Sequence, residues 1–331
     1  MLPRSFVRDV TLHCCSKQLK KRVLSRRRFL SLGSIGLGGI AAGASDLLPA
    51  RLLRGFIDER RRDVLAPKAR PRPALWEPTR LSAAWLGHAT VLINFQGVTI
   101  LTDPALFNRI GADTLCGTIG PKRLIEPALT VDQLPPIDLV LLSHAHMDHL
   151  DPATLRRLPG RPQVVTARDM TDLIPANLPR PFELGWGETA CVATAHGDLE
   201  IEAFEVNHWG SRWKYDRQRG YCGFVLSREK QRIIFGGDTA MTDSFARLRS
   251  KGPFDAAIMP VGAYNPWIFA HCSPEQAAAM ADRAGAEFIL PMHFATFPFG
   301  RESADEPMER LHAAVSPSRI GWSAVGETFF L

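Results

Sequence analysis

"LLSHAHMDHLD", residues 141–151, places three histidines and two aspartates within eight positions directly behind an apolar run. The run itself, "IDLVLLS" (137–143), has the length and composition of a buried strand. If the chain stays extended past it, side chains at i and i+2 point to the same side. His144 and His146 then share a face with Asp148, and a turn at 148–149 brings His149 to the same point. Neutral imidazole and carboxylate together suit zinc, iron or manganese. Packing such groups without a metal would be costly, because they are like-charged and desolvated. The alternative is a solvated surface cluster, and the strand context speaks against it.

Further donors of the same kind end other apolar runs: Asp103 after "VTILT", His208 after "IEAFEVN", Asp238 after "RIIFGG" and His293 after "EFILPM". In layered folds functional groups gather at strand ends, where loops carry them. These donors exceed the three or four that one zinc needs, so two metals sharing a carboxylate are expected. "LSAAWLGHATVLINFQGVTILTDP" reads as strands split by a turn at Gln96-Gly97. "QVVTA", "YCGFVLS" and "DAAIMP" read as further strands, and "SPEQAAAMADRAGA" (273–286) as a helix with Ser273 as N-cap, Pro274 at the first position and Gln276 closing a capping box. Strands first in hairpins, then alternating with helices, predict an α/β (α+β) fold. The expectation is one αββα sandwich over residues 79–331.

The formal charge of +6 suggests nucleic acid until its distribution is examined. Residues 1–28 carry nine Lys or Arg against one acid, and residues 51–80 nine against four, whereas residues 81–331 carry 22 against 28. The body is mildly acidic, which excludes a broad phosphate-binding face, so no nucleic-acid partner is expected. The first block belongs to "SRRRFLSLGSIGLGGIAAGAS": a basic stretch with Arg26 and Arg27, a short apolar run and a small-residue cleavage site. It resembles a twin-arginine export signal over residues 1–44 and implies a periplasmic or envelope location. Residues 45–78 form a basic Pro/Arg-rich arm, with "APKARPRP" at 66–73. Within it, residues 47–72 are a candidate peripheral membrane contact, and a helix packed on its own domain is the plainer reading. The six cysteines form no C-x-x-C pair. Oligomeric state has no signal in the sequence.

"HAHMDH" matches the H-x-H-x-D-H signature of the metallo-β-lactamase superfamily. "WLGHATVLI", "TDP", "GPKR", "NHWGSR", "GGDT", "HCSPEQA" and "HFATF" follow in an order resembling the branch that contains N-acylphosphatidylethanolamine phospholipase D and its bacterial relatives. The resemblance implies one metal on His144, His146 and His208, and a second on Asp148, His149 and His293. Asp238 would bridge them. It implies two divalent ions, Zn2+ or alternatively Mn2+ or Fe2+, with a hydroxide between them as nucleophile and Asp148 helping to place it. His271 is a candidate proton donor near a substrate phosphate, and Asp103 and His88 would orient the ligands. His196 and His312 match nothing.

The implied activity is hydrolysis of a phosphodiester, with a phospholipid headgroup as candidate substrate. A lactonase or other ester or amide hydrolase would use the same metals, and a non-catalytic metal-binding envelope protein is the reading from another class. Substrate choice is expected in loops 104–130, 209–220 and 294–306.

Overall fold

The computed structural model describes residues 59 and 61–331, apart from 115, 116 and 214. The export-signal segment, and the basic stretch up to residue 58, lie outside the described residues. In chain order the strands are β1 Leu81–Gly87, β2 Thr90–Phe95, β3 Val98–Thr102, β4 Ala112–Thr114, β5 Gly117–Ile119, β6 Leu139–Leu142, β7 Gln163–Ala167 and β8 Phe182–Leu184. They continue with β9 Thr189–Val192, β10 Leu199–Phe204, β11 Gly223–Arg228, β12 Gln231–Phe235, β13 Phe254–Pro260, β14 Ala286–Met292 and β15 Thr328–Phe330. The helices are α1 Pro152–Arg157, α2 Ser244–Leu248, α3 Tyr264–Trp267, α4 Pro274–Ala284 and α5 Glu306–Ala314.

One sheet runs β15-β1-β2-β3-β6-β7-β8 and the other β14-β13-β12-β11-β10-β9, with β4 and β5 forming a separate hairpin. Both larger sheets join an antiparallel meander to a parallel half: β3, β6, β7 and β8 in the first, and β12, β13 and β14 in the second. This is the αββα sandwich. The β2–β3 turn falls at Gln96 and Gly97, both with positive φ, as a tight hairpin matched to strand twist requires. The main core draws Trp85, Leu92, Ile100 and Leu141 from one sheet and Phe224, Phe235, Ile258 and Leu290 from the other. The parallel strands read as continuous apolar runs because both faces are covered. Among the described residues, no helix is long and apolar enough to cross a membrane.

The described part of the arm is docked on the domain. Leu65 N donates to Leu124 O at 2.8 Å, and Glu126 N returns a bond to Leu65 O at 2.8 Å. Arg62 Nη2 donates to Lys122 O at 2.6 Å, and Glu59 accepts from Lys122 N at 2.6 Å and Arg109 at 3.1 Å. Glu59, Arg62 and Leu65 therefore brace the "GPKR" segment beside the site.

The capping box of α4 forms as its sequence demands: Ser273 Oγ accepts from Gln276 N, and Gln276 Oε1 accepts from Ser273 N. In its first turn Glu275 receives a two-pronged bond from Arg310 of α5, 2.8 Å on each arm. That guanidinium, together with Ser273, pulls the Glu275 carboxyl down to about 2. A depressed carboxyl stabilises the fold above its unfolded value and loses that contribution as pH falls through its folded value. Glu275→Gln is therefore expected to lower stability above pH ~4.5, and the gap to wild type should close as pH falls towards ~2. Both side chains are more than a third exposed, so the gap should stay below ~1 kcal/mol. Urea midpoints measured across that pH range check it.

Candidate metal centre

The carboxyl ends of β3, β6, β10, β12 and β14 converge, and the donors sit just past them. Asp103 follows β3. Ser143 and His144 follow β6, and His144 pairs across the sheets with Tyr221. The chain then turns: His149 N and Leu150 N both donate to His146 O, at 3.1 and 2.9 Å. Extension to His146 followed by this turn brings His146, Asp148 and His149 to the same pocket. Asp238 enters through Gly237, whose φ of +58° suits glycine, and a Cβ there would lie 2.9 Å from Ser143 Cβ.

Two groups of donors form. In the first, His144 Nε2 faces His146 Nδ1 at 2.8 Å, and His208 Nε2 lies 3.2 Å from the same atom. In the second, Asp148 Oδ2 lies 3.4 Å from His149 Nε2 and 3.6 Å from His293 Nε2. Asp238 Oδ2 sits between the groups, 3.1 Å from His149 Nε2, 3.0 Å from His293 Nε2, and 3.8 Å from His208 Nε2 and His271 Nδ1 alike. His149 Nε2, His293 Nε2, Asp238 Oδ1 and His271 Nδ1 are buried without a hydrogen-bond partner. Buried polar atoms are rarely left so, and orphaned donors aimed at common points fit metal ions. The nitrogen and oxygen donor set suits zinc, iron or manganese.

A second layer of contacts holds these donors. Asp103, fully buried, accepts from Ser143 N at 2.7 Å, Ser143 Oγ at 2.6 Å and His149 Nδ1 at 2.7 Å. His88 Nε2 donates to Asp148 Oδ2 at 2.8 Å. The His88 carbonyl accepts from Trp85 Nε1 at 2.7 Å and His293 N at 3.0 Å. His208 Nδ1 donates to Ala270 O at 3.0 Å. Asp103, His88 and His293 all have positive φ, 33°, 56° and 67°. Such strain in non-glycine residues concentrates at functional sites.

Burial pushes His88 and His208 down to about 3, and His271 to about 4. It also pushes His144 well below the ordinary imidazole value, helped by His149, His146 and His208. Burial opposes charge on His149 and His293 too, but Asp238 and Asp148 outweigh it, holding His149 well up and His293 at about 9. The same rings overcome burial at Asp148 and Asp238 and keep both carboxyls well down. A protonated ring cannot ligate, so metal affinity at His149 and His293 falls as pH falls.

The structure brings together all ten site residues read from the sequence: His144, His146, Asp148, His149, His208, Asp238, His293, Asp103, His88 and His271. His196 and His312 lie elsewhere. Sequence reasoning missed Ser143, whose Oγ bridges Asp103 and His144 Nδ1. It also missed Trp209, which packs on His146 and His208 at 4.6 and 4.3 Å. The fully buried Arg123 was missed as well: it ties Ala105 O and Phe107 O and lies 4.9 Å over the Phe297 ring. The motifs "NHWGSR" and "GPKR" contain two of these residues, but a motif does not show what its members touch.

A cavity of about 830 Å3 opens on the donors. Its walls include Ile110 and Ile119 from the β4–β5 region, Trp209 and Trp213 from the loop after β10, and Phe299. All three loops expected to set substrate choice contribute. The α3 region, through Ala263 and Trp267, had no such signal.

The family model of the beta-lactamase superfamily domain matches residues 100–294. An uncharacterized protein of Mycobacterium tuberculosis is 32% identical over 266 residues, covering 77% of this chain and 69% of that one. N-acyl-phosphatidylethanolamine-hydrolyzing phospholipase D 1 of Caenorhabditis elegans is 32% identical over 253 residues, covering 70% of this chain and 68% of that one. Among solved structures, Igni18, a metallo hydrolase from Ignicoccus hospitalis, superposes with a TM-score of 0.57 at 21% identity, covering 76% of this chain and 99% of the other.

Proposed function

The chain belongs to the beta-lactamase superfamily and is a metal-dependent hydrolase; from that premise we propose that it cleaves phosphodiesters at a two-metal centre. His144, His146 and His208 would hold one ion and Asp148, His149 and His293 the other, with Asp238 shared. When bound, such ions supply Lewis acidity and lower the pKa of water towards ~7.

The protein's own part is positioning. Asp103 accepts a hydrogen bond from His149 Nδ1, which holds the proton there, so that Nε2 faces Asp148 and Asp238 with its lone pair free to ligate. His88 pins one oxygen of Asp148, leaving the other available to orient the attacking water. His271 lines the cavity. Burial lowers its value to about 4, which favours the neutral ring, and its place on the cavity wall would let it hydrogen-bond a substrate oxygen.

The observation that carries the phosphodiester reading is the cavity itself: large, with a wall that includes three tryptophans, two isoleucines and a phenylalanine, and floored by the metal donors. Sites of this size and lining take amphiphilic molecules anchored by a few polar groups. A phospholipid headgroup diester joined to its acyl part fits that description. The name of the C. elegans relative supports the same class.

Elemental analysis of protein purified without added metal, paired with bis-(p-nitrophenyl)phosphate and phospholipid turnover, tests the proposal. About two ions per chain and chelator-sensitive, metal-restorable turnover are expected. Chelation should also lower the thermal midpoint by at least ~5 °C, since a ligand at a thousandfold its Kd stabilises by ~4 kcal/mol. Two ions without diester turnover would move the substrate to lactones or other esters. Absence of metal would end the reading.

A further inference from the structure

We propose that Arg212 binds the substrate's anionic oxygen, gripping the ligand-bearing loop with one nitrogen while presenting the rest of its guanidinium to the cavity. The inference rests on the hydrolase reading of this cavity and deepens it by assigning the group that recognises substrate charge.

Arg212 Nη1 donates to Ala145 O at 2.8 Å and to Leu150 O at 3.0 Å. Those carbonyls bracket His146, Asp148 and His149, so the bonds fix the guanidinium relative to the donors. Nε and Nη2 have no hydrogen-bond partner among the described residues, and neither is among the buried, unpartnered atoms. Solvent in the cavity reaches them. Arg212 lines that cavity beside His146, Met147 and Asp148, and among the described lining residues it is the one lysine or arginine.

Among the described residues no carboxylate makes a salt bridge with the Arg212 side chain, and Asp151, Asp148 and Asp216 act on it only through space. Asp216 accepts only from Arg212 N, at 3.2 Å, and its carboxylate is already taken by Arg219 at 2.7 Å. A largely desolvated guanidinium without a paired carboxylate is expensive to maintain. Its planar fork matches a phosphate oxygen pair better than an ammonium would. Pre-fixed by two carbonyls, it loses little side-chain freedom when an anion arrives. Arg212 would thus meet an anionic oxygen of a diester held at the donor groups.

The test uses the full, metal-loaded chain as wild type, Arg212→Gln and Arg212→Lys, with metal content and thermal midpoint as controls. Inorganic phosphate binding is titrated calorimetrically, and kcat/KM is measured for bis-(p-nitrophenyl)phosphate and for the neutral ester p-nitrophenyl acetate. In Arg212→Gln, phosphate affinity and diester kcat/KM should fall about 10- to 100-fold, the range for a hydrogen bond to a charged group, with the neutral ester changed less than ~3-fold. Arg212→Lys, which keeps the charge and loses the fork, should fall between. Unchanged phosphate affinity in a metal-replete variant overturns the proposal, as does an equal loss on both esters, which would leave Arg212 as a loop clamp only. If wild type cleaves no diester, the phosphodiester reading fails by itself and the phosphate titration still decides Arg212. If Arg212→Gln does not fold or load metal, the lysine variant decides: weaker phosphate binding at full metal content upholds the proposal, and wild-type binding refutes it.

Discussion

Asp238→Ala should reduce turnover at least ~100-fold and metal content from about two ions to one or fewer. Removing a group that merely orients a ligand costs 10- to 100-fold in affinity or activity, and Asp238 is placed to act on the metals directly. Its Oδ2 lies 3.0–3.1 Å from His293 and His149 on one side and 3.8 Å from His208 on the other. Among the described residues no other carboxylate occupies that place: Asp148 faces the His149 and His293 group, and Asp103 lies behind His149. Alanine would leave the two donor groups unconnected and the ion at His144, His146 and His208 without a carboxylate ligand. Asp238→Asn, similar in shape but uncharged, separates charge from bulk and should retain more metal than alanine. Elemental analysis of both variants, alongside diester turnover, reads the result. An alanine variant keeping two ions and turnover within tenfold of wild type would show that Asp238 does not bridge.

The part of this centre legible in the sequence is the part set by local geometry. His144 and His146 face each other because alternation along an extended segment requires it, and the turn after them needs only residues 146–150. Strand-end positions such as Asp103, Asp238 and His293 are legible because an apolar run followed by a polar donor marks where a buried strand meets a loop. The two-layer fold follows from the same runs. What depends on long-range pairing is not legible. Ser143 gains its role because β3 places Asp103 beside it, forty residues away in sequence. Arg212 reaches Ala145 and Leu150 across more than sixty residues. Trp267 enters the cavity on a short helix with no local pattern to mark it as functional. The docking of Glu59, Arg62 and Leu65 onto "GPKR" likewise depends on backbone pairing that composition does not encode; proline and arginine content alone suggests a free arm.

Asp103 is where the fold and the site depend on the same side chain, and its replacement should separate the two effects. The carboxylate is fully buried and accepts three hydrogen bonds, two from Ser143 and one from His149. Its backbone N donates to Leu141 O at 2.8 Å, and its carbonyl accepts from Thr90 Oγ1 at 2.9 Å, tying β3 to β6 and β2. Asp103→Ala strands three buried donors at ~1–3 kcal/mol each. Relaxation and water entry reduce the sum, so a loss of ~3–5 kcal/mol is expected, as for breaking a buried ionic network. The backbone adds to this, because alanine is less tolerant than aspartate of the positive φ here. Asp103→Asn keeps the shape, and its carbonyl can still serve Ser143. Turned that way, its amide nitrogen faces His149 Nδ1, so the ring must accept there and carry its proton on Nε2, the atom that faces Asp148 and Asp238. A ring protonated on Nε2 cannot ligate through it. The asparagine variant should therefore fold with a midpoint close to wild type yet bind metal about 10- to 100-fold more weakly, whereas alanine should lose both stability and metal. Chemical denaturation of the chelated proteins, followed by competitive zinc titration, distinguishes these outcomes. Wild-type zinc affinity in a well-folded Asp103→Asn variant would mean that His149 does not depend on Asp103 for its tautomer, and that the second layer of the centre acts through packing instead.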